Sequence, residues 1–479
     1  MKKILKHVNN VKTKVAVAIF SFAIAATVFT ESAEAVVPTE STVTREMCAP
    51  TYWNTRTGEQ SGALLMDPNK VSLFNSAALK SPTANMNDIT GMDASYDAGE
   101  LKVKLANSIA SEIPQKPIFV NGVETDTDLY YRSIAGMIAV PQDSWSGIIS
   151  PKYAVAVSQT QIKSLPTADY IGYSAEDSDD EVILSSLRVN EPFLVKAYVK
   201  INGHEFYWGY SKTVSGWVLG DDIAFCEDKA QWLDMWQTDV FGKDFIVVTT
   251  DEFALSESHY LPATSGVKLT MGTTLKLVPD SEVPRNIGTR GAWNNYVVYL
   301  PTRGEDGKMI KQVALVSQGK DVNIGYLPMT SANLVNLSFK YLGNTYGWGG
   351  MLDSVDCSAY VGNVYKCFGL DMPRNTSWQR EVPGTCRNIG DLDDVAKADV
   401  ISKCIPGTPL YFSGHTMIYL GTVDGTSYVI SALGSVVDSN GYEDVQPVNS
   451  VAITPLTVKR KNGTTWLQNI DAIVEPWTL

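Results

Sequence analysis

The sequence predicts a multidomain α+β protein, because its 479 residues exceed the length of one ordinary domain and its pattern of predicted helices and strands changes along the chain. With 44% hydrophobic and only 19% charged residues, the chain can bury sizeable cores. A mostly helical segment is predicted at 36–150, and β-rich blocks with many turns follow at 151–226 and 240–328. The last block, 329–479, has helices first and strands after them.

The first 35 residues have the pattern of an export signal. Several lysines precede an apolar run from Val15 to Phe29, and Ala33-Glu34-Ala35 supplies the small residues that a signal peptidase requires. An apolar core of about 15 residues falls short of the roughly 20 that span a bilayer. We therefore expect cleavage after Ala35, no stable membrane insertion afterwards, and a protein of the cell envelope or the exterior.

The charge balance and the histidine content exclude several classes of function. The chain has 39 Lys and Arg against 52 Asp and Glu, a net charge of -13, which opposes binding to nucleic acids. Beyond the export signal only His204, His259 and His415 remain, and neither C-x-x-C nor H-E-x-x-H spacing occurs. We expect no metal and no cofactor.

The N-terminal segment is predicted to be a compact, mostly helical cap. Its clearest helix has apolar residues at Leu101, Leu105, Ile109 and Ile113, a spacing that places them on one helix face. No chemical motif occurs in this segment, so packing is its expected role.

The block at 151–226 shows the order of a small β domain. Strands at Phe193–Val199 and Glu205–Tyr210 flank Asn202-Gly203, the dipeptide typical of a tight hairpin turn. Gly216-Trp217-Val218 then leads into a short helical turn at Asp221–Ala224. This order resembles a bacterial SH3-like domain.

The block at 240–328 is predicted to be a second SH3-like barrel, with strands at Phe245–Val248, Val267–Thr270 and Tyr296–Leu300. In the first block, the acidic run from Glu176 to Glu181 is either a solvated loop, as such runs commonly are, or a cation site.

The C-terminal block carries the chemistry. A buried helix at Asn333–Leu342 precedes the glycine-rich loop Tyr346-Gly347-Trp348-Gly349-Gly350, and a second helix is predicted at Cys357–Phe368. Cys357 therefore lies at a helix N-terminus, where free backbone N–H groups favour thiolate over thiol, as a nucleophilic sulfur requires. The alternative for any single cysteine is a small buried hydrophobe or half of a disulfide.

His415 is the candidate base for this thiol. It begins a strand in which His415, Met417 and Tyr419 alternate onto one face. If the following hairpin is centred near Val423, Ser431 lies opposite His415 and can orient the imidazole by a hydrogen bond. The alternative is a structural histidine in a strand.

Four ordered motifs together resemble the NlpC family of bacterial cell-wall cysteine peptidases. They are the loop Tyr346–Gly350, the triplet Asp356-Cys357-Ser358, the turn Pro373–Ser377, and Gly414-His415 before an apolar strand. The resemblance covers about the last 150 residues with high specificity. It implies a papain-like α+β catalytic domain, with two SH3-like domains and the helical cap as auxiliary domains.

The resemblance also implies roles for individual residues. Cys357 is the implied nucleophile, His415 the general base and acid, and Ser431 occupies the third catalytic position, where the family usually has His and sometimes Asn or Gln. A serine orients an imidazole only weakly and cannot carry charge. The residues implied to contact substrate, with Asp356 on its free amino group, are Tyr346, Trp348, Asp356, Ser358, Thr376 and Ser377.

The implied activity is hydrolysis of peptidoglycan stem peptides at the bond between γ-D-Glu and a diamino acid, so the expected partners are stem peptides or muropeptides. An amidase that cuts between muramic acid and L-Ala is an alternative on the same fold. A wall-binding or scaffold protein with a silent Ser431 site is an alternative of another class.

The remaining five cysteines cannot all pair within one chain. Cys386 with Cys404 is the local candidate for a disulfide, whereas Cys367, on the helix of Cys357, is expected to be a core residue. Whether Cys48 reaches Cys226 stays open.

Overall fold

The computed structural model describes residues 42–140, 145–259, 262–437 and 445–479. The predicted export signal at 1–35 lies outside these residues. No helix in the described ranges combines the length and the apolar character that crossing a bilayer requires.

Within 42–140 and 145–149, the described residues form four α-helices and five short strands. Aspartate side chains cap three of the helices, because Asp67, Asp97 and Asp126 each accept a hydrogen bond from an N–H group of the first turn. The helices are α1 (Pro50–Thr57), α2 (Pro68–Lys80), α3 (Ala98–Ser111) and α4 (Thr127–Ala139). The strands are β1 (Leu64–Met66), β2 (Tyr96–Asp97), β3 (Ile118–Val120), β4 (Val123–Thr125) and β5 (Ile148–Ile149).

The predicted N-terminal cap contributes to two different cores. Trp53 of α1 and Phe74 of α2 pack in the core of the C-terminal block, and β1 pairs with Met329–Thr330 of that block. Helices α3 and α4 instead pack with Trp217 and its neighbours in the first β block. The predicted helices are present, but two of them pack against the C-terminal block and two against the first β block.

The first β block has eight strands. They are β6 (Lys152–Ala156), β7 (Thr160–Lys163), β8 (Ile171–Gly172), β9 (Ile183–Leu187), β10 (Pro192–Ile201), β11 (His204–Tyr210), β12 (Ser215–Leu219) and β13 (Ile223–Phe225). Seven of them form one sheet in the order β13-β6-β10-β11-β12-β7-β9. The predicted hairpin turn is present, with φ of 50° at Asn202 and 87° at Gly203, as a type I′ turn requires. The SH3-like character of this block stays a prediction.

A helix missed by the sequence analysis, α5 (Lys229–Trp236), leads to the second β block. The strands of that block are β14 (Phe245–Val248), β15 (Glu252–Ala254), β16 (Lys268–Thr270), β17 (Thr274–Lys276), β18 (Asn286–Ile287), β19 (Arg290–Gly291), β20 (Asn295–Arg303), β21 (Met309–Ser317) and β22 (Val322–Ile324). All three predicted strands are therefore present. Their apolar side chains share one core with Val189 of the first block.

The C-terminal block places helices on a six-stranded antiparallel sheet in the order β24-β29-β25-β26-β27-β28. Its helices are α6 (Ser331–Ser338), α7 (Cys357–Lys366), α8 (Thr376–Gln379), α9 (Asp394–Ser402) and α10 (Trp466–Asn469). The strands are β23 (Met329–Thr330), β24 (Thr385–Asn388), β25 (Pro409–Phe412), β26 (His415–Val423), β27 (Thr426–Val437), β28 (Val445–Pro455) and β29 (Ala472–Glu475). Both predicted helices are present with slightly different ends.

The two faces of this sheet have separate cores. Helices α6 and α7 pack on the face that carries Ile418 and Leu420, whereas Met417 and Tyr419 pack on the opposite face with Trp466 of α10. Strand alternation explains this division.

The same division explains why the predicted disulfide between Cys386 and Cys404 is wrong. Cys386 packs toward the core that contains α7, Cys404 belongs to the core on the opposite face, and all six cysteines of the chain outside the export signal are free thiols. Cys48 and Cys226 are likewise unpaired, and Cys367 is fully buried, as predicted for a core residue.

Candidate active site

Cys357 is the first residue of α7, and Asp356 is the reason that the helix begins there. Asp356 has an extended backbone, and its carboxylate accepts a hydrogen bond of 2.9 Å from the Ala359 N–H. The backbone N–H groups of Ser358 and Thr416 also point at the Cys357 sulfur and favour the thiolate. Burial of the thiol and the Asp356 carboxylate outweigh them and raise the pKa of Cys357 to about 12. The thiolate predicted from the helix N-terminus is therefore not the resting form.

His415 begins β26, and aromatic rings enclose its imidazole. The ring centroids of Phe412 and Trp466 lie 5.2 Å and 5.1 Å from that of His415, and Nε2 lies 3.1 Å from the Ser431 hydroxyl oxygen. Burial, together with the Arg460 cation, lowers the pKa of His415 to about 3. The imidazole is neutral at pH 7, and Nδ1 is the ring nitrogen that Ser431 does not contact.

The predicted contact between His415 and Ser431 is present, although the predicted register is wrong. The hairpin turns at Asp424 and Gly425, with φ of 48° and 81°, and pairs Ile418 with Ile430. A bulge between Tyr419 and Gly421 changes the register further along the hairpin. Ser431 consequently reaches His415 along the diagonal of the ladder rather than from the opposed position.

Cys357 lies beside the start of β26, the strand that His415 begins. The Thr416 N–H that points at the sulfur belongs to the residue next to His415. Among the residues that the structure describes, however, no hydrogen bond joins Cys357 to the imidazole, which shares its face with Met417 on the side opposite α7. The thiol and the imidazole are thus neighbours along β26 that have not formed a dyad.

Asp356 is a buried ion-pair partner, which corrects its expected role as the contact for a substrate amino group. Its side chain is 2% exposed and pairs with the guanidinium of Arg374, which holds the pKa of the carboxyl below its usual value against the effect of burial. Gly349 N–H also donates to it at 3.0 Å. These partners occupy the carboxylate oxygens behind the surface of the site.

Ser358, expected to contact substrate, belongs to the same buried network. Its hydroxyl accepts a hydrogen bond of 2.6 Å from Arg374 and donates one of 3.0 Å to Asp356. Arg374 also reaches Ser185 of the first β block at 3.1 Å. The network therefore connects the N-terminus of α7 to another part of the chain.

The glycine-rich loop is shaped by a close approach of the first β block. Gly349 and Gly350 have φ of 62° and 93°, and a Cβ atom on either would lie 2.2 Å from a side-chain atom of Ile183 or Ser186 in β9. Only glycine fits both the conformation and the space. This contact holds the loop beside the N-terminus of α7.

The two aromatic residues of this loop differ in exposure. Trp348 is 38% exposed, whereas Tyr346 is half-buried. Burial, then the charges of Asp356 and Cys357, raise the pKa of Tyr346 well above its usual range, so its hydroxyl lies near both groups.

The turn at 373–377 meets the site through residues other than the expected ones. Thr376 is half-buried and Ser377 is exposed, both on α8, and neither is hydrogen-bonded to Cys357 or His415 in the described structure. Gln379 of the same helix instead donates hydrogen bonds of 2.9 Å to the carbonyls of Ser358 and Pro373. Sequence reasoning identified this turn but missed Arg374 and Gln379.

A second residue missed by sequence reasoning is Asp179, in the loop before β9. Burial, followed by the charges of Asp177 and Asp356, raises its pKa, and its own charge acts on Tyr346. Asp180 beside it pairs with Lys163 at 2.8 Å. Glu176 and Glu181 at the ends of the acidic run are exposed, as in a solvated loop, whereas Asp180 is buried, and the described residues contain no cluster of metal-ligating side chains.

Comparison with known proteins identifies a family domain in the C-terminal block. Residues 343–455 match the NlpC/P60 family, so the C-terminal block contains an NlpC/P60 domain. The chain is similar to a solved structure described as a novel NlpC/P60 endopeptidase from Photobacterium damselae subsp. piscicida, with a TM-score of 0.65 and 16% identity over 88% of this chain and 96% of that one. An NlpC/P60 family protein from Bacillus cereus has a TM-score of 0.42 and 15% identity over 68% and 99% of the two chains. No curated protein sequence matches the chain.

The family match and the structural similarity cover different shares of the chain. The family match covers the loop, Cys357, His415 and Ser431, whereas the structural similarity to the Photobacterium protein extends over most of the chain. At 16% identity that similarity shows a shared fold.

The neutral His415 predicts a pH dependence of stability. Its pKa falls from 6.5 to about 3 on folding, so the unfolded chain binds the extra proton below pH 6.5. We expect the free energy of unfolding to decrease by up to about 1.4 kcal/mol per pH unit between pH 6.5 and 5. The measurement is urea unfolding at several pH values, comparing wild type with His415→Gln, in which this part of the slope should disappear.

His204→Gln is the matched control for this experiment, because His204 is exposed on β11. Its pH profile should follow wild type. A His415→Gln profile parallel to wild type across this range would show that the imidazole is not held neutral.

Proposed function

We propose that the protein is an exported cysteine endopeptidase that hydrolyses peptidoglycan stem peptides, at the bond between γ-D-Glu and the diamino acid. One observation carries the proposal: the sulfur of Cys357, at a capped helix N-terminus, receives the backbone N–H of Thr416, the residue after His415. Ser431 in turn holds Nε2 of His415. The NlpC/P60 match over the same residues supports this chemistry. We also propose that residues 1–35 direct export, and that the β blocks are SH3-like auxiliary domains.

In this mechanism the substrate brings the two groups together. The His415 ring, at the first position of β26, turns toward the thiol, and Nδ1 takes the proton from Cys357. The sulfur attacks the γ-carbonyl carbon of D-Glu, and the diamino acid leaves as the amine after receiving that proton from His415. Water then attacks the thioester, with its proton passing to His415, and the carboxylic acid leaves as the Cys357 thiol reforms. The N–H groups aimed at the sulfur stabilise the thiolate as it forms.

We propose that Asp179, rather than Asp356, holds the free amino group of the stem peptide. Asp356 is already neutralised by Arg374, whereas Asp179 is a carboxylate with a raised pKa beside Tyr346. A cationic amine beside Asp179 would compensate the repulsion that it experiences from Asp177 and Asp356. This assignment favours stems that begin with a free L-Ala over stems attached to glycan.

Digestion of tripeptide and tetrapeptide stems, with and without attached glycan, tests the proposed activity. The mature protein is incubated under mild reductant, and the products are identified by mass spectrometry. Cleavage after γ-D-Glu of free stems supports the peptidase, whereas release of the whole stem from muramic acid identifies the amidase instead. No product from any stem would contradict both.

Asp179→Asn should raise KM for free stems about tenfold while kcat changes little, because a neutral amide loses the charge attraction to the amine but not the reacting groups. Steady-state kinetics on a free tripeptide stem and on its N-acetylated form measure the effect. The N-acetylated stem, which lacks the cation, should show the same KM with both proteins.

Asp177→Asn is the matched control, since Asp177 accepts a hydrogen bond of 2.8 Å from the Tyr173 N–H within its own loop. It should leave discrimination between the two stems unchanged. An equal rise in KM for the free and the N-acetylated stem in Asp179→Asn would mean that Asp179 supports the structure of the loop and does not bind the amine.

The resting site also supports a second candidate function, that of a wall-binding protein whose Cys357 site is catalytically inactive. The observation behind it is that Cys357 is a buried neutral thiol without a bond to His415 in the described structure. Under that function, Cys357→Ala leaves binding to purified cell walls unchanged, and a thiol probe fails to label Cys357.

A further inference from the structure

A cavity of about 460 Å³ lies at the meeting point of several segments, and at one end it reaches the buried network of the candidate active site at Ser358 and Arg374. Its lining includes Asn75 of α2, Trp236 of α5, and Lys366 at the C-terminal end of α7. Cys357, His415, Tyr346 and Trp348 do not line it. Its volume falls within the roughly 300–1,000 Å³ of small-molecule sites.

Lysines from two blocks share one carboxylate in this cavity. Lys212 Nζ lies 2.8 Å from Asp371 Oδ2, and Lys366 donates to Asp371 Oδ1 at 2.5 Å. The side chains of the two lysines are 31% and 16% exposed. Each ammonium has three N–H donors, so one bond to Asp371 leaves further donors on both.

The third cation of the cavity is Arg188. Its guanidinium pairs with Glu191 and donates to Asn363 of α7 at 2.5 Å. Around Asp371 and Glu191, three cations therefore meet two carboxylates, whereas Arg374 and Asp353 elsewhere in the lining are paired with Asp356 and Lys268. Burial, together with the nearby Lys366 cation, lowers the pKa of Lys212 against the attraction of Asp371.

Unpartnered buried polar atoms belong to the same lining. Among the described residues, Arg188 Nε, Trp236 Nε1, Thr273 Oγ1 and Asn190 Oδ1 have no hydrogen-bond partner. Thr273 is 1% and Asn190 3% exposed, and all four residues line the cavity. Buried polar groups are ordinarily paired, so their concentration around one cavity points to a missing partner.

We propose that this cavity binds a small molecule through an oxyanion group, a carboxylate or a phosphate, held by Lys212, Lys366 and Arg188. One anionic group supplies the charge that the cluster lacks, and its oxygens accept the remaining lysine N–H donors. Such a ligand contacts both β blocks, α2 and α7 at once. None of the three cations proposed to hold the ligand has a role in the proposed peptidase activity.

The test uses two probes, glutarate for a carboxylate and inorganic phosphate, at ionic strength matched with sodium chloride. Calorimetric titration of the full chain measures affinity, and thermal unfolding measures stabilisation. We expect at least one probe to bind and to raise the melting temperature, and the preferred probe identifies the anion class. Binding by neither probe overturns the proposal.

The variants Lys212→Met and Lys366→Met locate the binding. Each should raise the Kd of the bound probe at least tenfold, since each removes a charge-assisted donor. The control is Lys340→Met, which removes an exposed lysine paired with Asp321 on the surface and should leave Kd unchanged. Unchanged affinity in both cavity variants would place binding elsewhere and overturn the proposal.

A crystal structure of the wild-type chain with the bound probe locates the binding site even if the substituted proteins fail to fold. Density for the probe between Lys212 and Lys366 supports the site, whereas water alone in the cavity contradicts it.

Discussion

Cys357→Ala is expected to reduce kcat for stem-peptide hydrolysis by at least about 10⁴-fold, because no other group of the site can form the thioester. Cys357 is the only cysteine at the N-terminus of a helix that also meets the strand of His415 in the described structure. The measurement is single-turnover hydrolysis of a free tripeptide stem, with products read by mass spectrometry. Binding of the stem to Cys357→Ala should be within a few-fold of wild type, since the change removes one buried sulfur.

Cys386→Ala is the matched control for the nucleophile. Cys386 is another free, partly buried thiol of the same sheet, on β24 at the far side from His415 in strand order. It should retain the wild-type rate. Full activity in Cys357→Ala would exclude the proposed chemistry, whereas inactivity of both wild type and variant would favour the wall-binding candidate.

Arg374→Met is expected to lower the free energy of unfolding by about 3–5 kcal/mol, because it leaves the Asp356 carboxylate charged and buried without its partner. The side chains of Arg374 and Asp356 are 9% and 2% exposed, so water cannot replace the guanidinium. The loss should include the bond that Arg374 makes to Ser185, and with it the attachment of β9 to α7. Urea unfolding measures this change.

Two further variants test that interpretation. In Arg374→Met with Asp356→Asn, the buried charge is gone, so stability should be partly restored relative to Arg374→Met alone. Arg380→Met breaks a more exposed pair with Asp471, 26% and 34% exposed, and should cost less than about 1 kcal/mol. If Arg374→Met and Arg380→Met lower the free energy of unfolding by similar amounts, the buried ion pair is no more important for stability than the exposed one.

Local patterns predicted much of the C-terminal block. Alternation along β26 and the length of the following loop indicated the contact between His415 and Ser431, and the structure contains it at 3.1 Å. The register was missed because the hairpin turns at Asp424 and Gly425 rather than at Val423, and the pattern of apolar residues does not fix the centre of so short a turn.

The contacts that sequence reasoning missed are all long-range. Arg374 is 18 residues from Asp356 and 189 from Ser185, and Asp179 reaches the site from another block. No periodicity encodes such pairings, because they depend on how separate blocks pack. The same limit applies to the state of Cys357: the helix N-terminus was evident, but the burial that opposes it is a property of the assembled fold.

The strand order of the C-terminal sheet has a consequence for how the domain is made. Strand β29 lies between β24 and β25, although it follows every other strand of the sheet along the chain. During synthesis from the N-terminus, β25 and β26 can pair early, but β24 has no neighbour in the sheet until Ala472–Glu475 emerges. Completion of the six-stranded sheet is thus coupled to the arrival of Ala472–Glu475, the last of its strands along the chain.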